Sequence, residues 1–253
     1  MKPLQPNRSA GFSLVELMVA LVVSLVLLAG VLQILLSNRN SFSFQRDMAG
    51  LQENGRLASF VIENVVAHAG YRVELDRNDL FDAGGVFANG AFVTGTSGGA
   101  DGNDSLRLRF QAGTGHDGCN GPDAGVAELP LSNLGMTDLE LYVNDQNSLL
   151  CRDRSSGSVP QPIVENVARF KVTYGIDTDR DGSVNTYANS VGGANADNVV
   201  SVRLQLLLES EDNITPTATS HNFAFAYGND FTATNRHAYQ LVDQVVALRN
   251  AIP

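Results

Sequence analysis

A chain of 253 residues with 17 basic and 27 acidic side chains carries a formal charge of −10. Such a surface repels phosphate backbones, and no basic stripe stands against it, which excludes nucleic-acid binding by this chain alone. The longest apolar run lies near the amino terminus, leaving about 180 residues beyond the amino-terminal helix, enough for one domain with a real core.

Ten residues containing Lys2 and Arg8 precede Gly11, and an apolar run of 25 residues follows from Phe12 to Leu36. Only Ser13, Glu16, Ser24, Gly30 and Gln33 interrupt it. As a helix the run spans about 37 Å, enough to cross a ~30 Å bilayer core with some tilt. A secretory signal peptide has an apolar core of only about 7–15 residues ending at a small-residue cleavage site, so this run is too long to be one. The segment reads as a membrane span. Lys2 and Arg8 place the amino terminus in the cytoplasm, with everything after Leu36 outside. Glu16 is the chemical oddity, because an ionised side chain inside a bilayer costs ~2.5–3.5 kcal/mol even on insertion-based scales. A partner must offset that cost.

Beyond Leu36 the pattern turns amphipathic. Phe42, Phe44, Met48, Leu51, Leu57, Phe60, Val61, Val65 and Val66 recur mostly at spacings of three and four among charged residues, and no proline occurs between 12 and 70. One helix is predicted from about 13 to about 69, ended by Ala69-Gly70 with Gly70 as its carboxy cap. Gly50 and Gly55 are weak points, each costing ~1 kcal/mol relative to alanine, where the helix would bend or melt.

From 71 onward glycine, asparagine, aspartate and serine accumulate in 76–104 and 111–125, predicting long loops around short strands. Alternating apolar residues predict strands at 105–110, 139–143, 148–151, 169–174 and 200–206, while 239–248 fits strand or helix and its place at the end of a strand-rich domain favours a strand. The predicted fold is α+β: a long amino-terminal helix packed on an antiparallel sheet, without repeats or a second globular domain.

Cys119 and Cys151 both fall in the exported part, where an even count favours a disulfide over two free thiols. Closing a loop of about 33 residues stabilises by roughly 3–4 kcal/mol on the chain-entropy model. His116-Asp117-Gly118-Cys119 lacks a second close ligand pair and does not read as zinc. In Asp177-Thr178-Asp179-Arg180-Asp181-Gly182-Ser183, alternate oxygen donors followed by glycine match the opening of an EF-hand loop and point to calcium through Asp177, Asp179, Asp181 and Ser183. The twelfth position is Ala188 rather than glutamate, so a bidentate ligand would come from Asn185 or Asp197 or be missing. A solvated acidic turn is the alternative. No phosphate loop or nucleophile triad finds a supporting context.

The stretch Gly11-Phe12-Ser13-Leu14-Val15-Glu16 after a basic leader resembles the class III signal of type IV pilins and pseudopilins. That resemblance implies cleavage by a prepilin peptidase between Gly11 and Phe12, N-methylation of Phe12, and pairing of Glu16 with a neighbouring subunit's amino terminus. Loss of the leader would leave 15 basic against 27 acidic residues. It also implies three regions: leader 1–11, helix 12–69, and a β-rich domain 70–253. Leu51-Gln52-Glu53-Asn54-Gly55-Arg56-Leu57-Ala58, the Ala69-Gly70-Tyr71 exit, Tyr174-Gly175-Ile176-Asp177 and Val246-Ala247-Leu248-Arg249-Asn250 are similar to blocks of the PilW minor pilins. The chain lacks the proline that many major pilins carry in the membrane half of the helix. The family implies inner-membrane residence before assembly, no enzymatic activity, and a role in priming type IV pili for adhesion and twitching motility. Its place there would be the filament tip, beside other minor and major pilins and an adhesin-like tip protein. A J-class pseudopilin of type II secretion and a membrane-anchored exported enzyme are the other readings.

Overall fold

The computed structural model describes residues 13–72, 81–111, 119, 135–155, 159–192, 195–215, 217–218 and 220–251. Helix α1 runs from Leu14 to Ala67, 54 residues without a break. Two compact units divide the chain, Met1–Arg46 and Asp47–Pro253. In the first, every large apolar side chain from Leu14 to Leu36 is exposed.

In the second unit, Leu51, Gly55, Ala58, Ile62 and Val66 form the buried seam of α1 at spacings of three and four. Leu57 and Phe60, read from the sequence as part of that seam, are exposed instead. The reason is Gly55: its missing side chain lets Gln240 and Val242 approach to within 3.0–3.3 Å of where a Cβ would stand, so the helix turns its smallest residues inward. Gly55 is thus a packing position, and the helix does not melt there. After Ala67 the chain leaves through Gly70, whose φ of +74° suits glycine and whose N–H donates to the Arg109 carbonyl.

Eleven strands follow among the described residues. β1 (Val93–Thr96), β2 (Ser105–Gln111), β3 (Met136–Val143), β4 (Leu149–Asp153) and β5 (Gln161–Val164) form a five-stranded antiparallel sheet in sequential order. β6 (Val167–Ile176), β7 (Thr186–Ala188), β8 (Val199–Glu209) and β11 (Tyr239–Ala247) form a four-stranded sheet ordered β11-β8-β6-β7. β9 (His221–Phe223) and β10 (Phe231–Ala233) make a small hairpin. The six predicted strands correspond to β2, β3, β4, β6, β8 and β11, divided between two sheets rather than joined in one.

Alternation sets the faces. Leu106, Leu108 and Phe110 of β2 and Leu139 and Leu141 of β3 point into the core, while Arg107 and Glu140 remain half-buried. The helix seam and both sheets share this core, with Phe170, Val172, Tyr174, Leu204 and Leu206 at its centre.

Candidate functional site

Gly11 and Phe12 lie outside the described residues, which begin at Ser13. At the start of α1, Ser13 and Glu16 form a reciprocal capping box. The Glu16 N–H donates to Ser13 Oγ and the Ser13 N–H donates to Glu16 Oε2, each at 3.3 Å. The signal was present in the sequence as Ser-x-x-Glu before an apolar run and was missed beside the larger question of the charge. Glu16 is exposed on an end surrounded by Leu14, Val15, Leu17 and Met18, all more than half exposed. Farther along, Ser24 hides its hydroxyl by donating to the Ala20 carbonyl at 2.7 Å, so that helix face offers hydrocarbon.

The acidic loop leaves β6 at Asp177. One oxygen of each of Asp177, Asp179 and Asp181 lies within 4.8 Å of the others, with Asp177 buried and the other two exposed. Burial pushes the Asp177 carboxyl up, but N–H bonds from Gly182 (2.7 Å) and Arg180 (2.6 Å) and an Asp179 contact outweigh it and hold the group below its ordinary value. Gly182 has φ +87°, the left-handed turn that glycine permits. Ser183 enters through its backbone N–H, which donates to Asp181. The two residues considered as completing ligands are engaged elsewhere. Asn185 Oδ1 accepts from the Thr178 N–H and hydroxyl, and Asp197 pairs with Arg180 at 2.9 Å.

Cys119 and Cys151 are joined by a disulfide with Cα atoms 5.4 Å apart, which ties Cys119 to β4. A further arrangement gave no sequence signal. Lys171 of β6 and Asp104 are both almost fully buried and meet at 3.3 Å. Lys171 also donates to the Gly99 carbonyl, and Asp104 accepts from the N–H groups of Gly98 and Val172. A lysine in an alternating strand looks solvent-facing until the 97–104 loop folds over it.

The comparisons with known proteins fall on the same segments. Residues 6–32 match the prokaryotic N-terminal methylation motif, and residues 139–250, from β3 to just past β11, match the type IV pilus-assembly protein W family. The chain is a PilW-like type IV minor pilin. Its fold is similar to that of a type IV-like pilin from Thermus thermophilus, with a TM-score of 0.53 at 15% identity over 80% of this chain and 97% of that one. No curated protein shows significant sequence similarity to it. For this minor pilin, family and fold are those of a structural subunit, and its exposed apolar helix is a membrane anchor of the kind the methylation motif accompanies. The acidic loop and β11 lie inside the PilW match, whereas Glu16 lies inside the methylation motif.

Proposed function

We propose that this minor pilin primes filament assembly and sits at the pilus tip beside other minor pilins and an adhesin-like protein. In this reading prepilin peptidase cuts between Gly11 and Phe12 at the inner membrane. Residues 12–69 then anchor the subunit with its amino terminus inward, and residues 70–253 face the periplasm and later the exterior. The observation that carries it is Glu16, the one charged side chain between Phe12 and Leu36, set on an exposed apolar helix. The Ser13 N–H caps this carboxylate but leaves its charge unneutralised, and the amino group freed at Phe12 of a neighbouring subunit is a cation at the same depth. The test is pilus number in cells lacking the chain, with and without restoration, together with labelling of sheared filaments. Normal piliation without the chain would overturn priming, and label spread along shafts would overturn the tip position.

The second reading concerns the acidic loop. The convergence of three carboxylate oxygens, with Asp177 fixed by the Gly182 N–H, supports calcium as a structural ion between β6 and β7. Asp179 and Asp181, exposed and facing Asp177, would supply the other oxygens.

A further inference from the structure

Sheet edges are usually protected by shortness, by proline or bulges, or by a covering segment, and among the described residues all but one of the edges are. β1 has four residues, β7 three, and each strand of the β9/β10 hairpin three. β5 has four, contains Pro162, and meets β4 through a register shift. Where β7 stops short of β6, the 103–104 segment takes over. The Phe170 carbonyl accepts from the Asp104 N–H, the Phe170 N–H donates to Asn103, and the Val172 N–H donates to Asp104. Where β1 stops short of β2, Phe92, Gly70 and Tyr71 pair with Arg109 and Gln111.

β11 is the exception. It runs nine residues, about 30 Å at 3.4 Å per residue, in unbroken register with β8, without proline or lysine. The phase of the ladder is fixed at both ends, since Ser210 N–H donates to the Ala238 carbonyl and Leu248 N–H to the Val200 carbonyl, both at 2.8 Å. Gln240, Val242, Gln244 and Val246 therefore turn their backbone groups to β8. Tyr239, Leu241, Asp243, Val245 and Ala247 turn theirs outward. No backbone hydrogen bond joins those outward groups to another described residue. The one charge on the strand does not guard it, because Asp243 is held by Arg203 at 2.6 and 2.9 Å and by Gln205 at 2.9 Å.

We infer that the free edge of β11 receives an extended strand from another pilus subunit, a segment of neutral or basic sequence with apolar side chains at alternate positions to lie beside Leu241 and Val245. The inference rests on the assembly reading above. A second copy is disfavoured by charge. Without the leader each chain carries 15 basic against 27 acidic residues, and an antiparallel self-pair centred on the strand sets Asp243 against Asp243. An added strand instead satisfies the outward donors and acceptors and extends the sheet.

The test places a photo-crosslinking amino acid at Val245, or as control at Tyr187 on β7, in piliated cells; both positions are more than half exposed. The expected result is a product with another pilus subunit at Val245, at least fivefold above the Tyr187 position. A companion variant, Val245→Pro, deletes one outward N–H and leaves the β8 ladder intact. It should lower the amount of chain in sheared filaments at least fivefold while the full-length protein in detergent keeps its unfolding midpoint within a few degrees. If Val245→Pro does not fold, Val245→Lys, which charges the edge and keeps every N–H, should give the same loss. Wild-type chain present in filaments with no Val245 product above the control would overturn the inference, as would a product containing only this chain. Absence of wild-type chain from filaments would overturn the assembly reading itself, so the two failures are distinct.

Discussion

Ser13 and Glu16 satisfy each other's backbone N–H groups at the first turn of α1, so the carboxylate proposed to meet a neighbour's amino terminus also caps its own helix. Capping and charge can be separated by substitution. Glu16→Gln keeps a side-chain acceptor at the third helical position and removes the charge, whereas Glu16→Val removes both. We expect both variants to insert in the membrane as well as wild type or better and both to fall in sheared filaments relative to membrane. Equal incorporation of Glu16→Gln and wild type would assign Glu16 to capping alone.

Cleavage between Gly11 and Phe12 is checked by intact mass. From a host with prepilin peptidase, the full chain should begin at N-methyl-Phe12. A mature protein still beginning at Met1 would remove the amino group on which the Glu16 pairing depends.

Two glycines of α1 predict opposite outcomes. Gly50 has no neighbour within 4 Å of a built Cβ, so Gly50→Ala should stabilise by up to ~1 kcal/mol through helix propensity. Gly55 faces Gln240 and Val242 at 3.0–3.3 Å, and Gly55→Leu should destabilise by about 1–3 kcal/mol through overpacking. Thermal unfolding of the full-length protein in detergent reads both signs, and a Gly55→Leu midpoint at or above wild type would refute the close approach.

That pair marks how far the sequence could be read. The apolar run and the alternation of Leu106, Leu108 and Phe110 are local periodicities, and so the helix and the six longer strands were legible. The seam of α1 was legible only at Leu51 and Val66, because Gly55 is buried for what β11 brings against it, and a hydrophobicity pattern gives small residues such as Gly55 and Ala58 little weight. β1, β5, β7, β9 and β10 have only three or four residues each, too short to show a period. In the acidic loop, spacing alone marked the three aspartates. That Asn185 and Asp197 are already occupied depends on Thr178 and on the side chain of Arg180, whose positive φ no pattern announces.

Lys171 and Asp104 hold the 97–104 loop over β6, and removing one partner strands a buried charge. Lys171→Met should cost about 3–5 kcal/mol, lowering the midpoint by about 6–20 °C for a domain of this size. Adding Asp104→Asn should restore part of the loss. A drop under two degrees in the single variant would show that the pair contributes little.

The last prediction concerns cation and proton at Asp177. Its folded value lies below the ordinary carboxylate value of ~3.9, so its contribution to stability is complete at neutral pH and is lost as pH falls through the lowered value. Calcium binding at Asp177 requires the same ionised form, so its stabilisation should weaken as pH falls through that lowered value. Binding to the folded state alone at about 100-fold excess over the dissociation constant adds roughly 2.7 kcal/mol, or about 5–11 °C in midpoint. The full-length protein in detergent at pH 7 should therefore unfold at higher temperature in millimolar calcium than in chelator. Asp179→Ala should abolish that difference. If chelator leaves the wild-type midpoint at pH 7 unchanged, the three aspartates form a turn held by the Arg180 and Gly182 N–H groups and no ion.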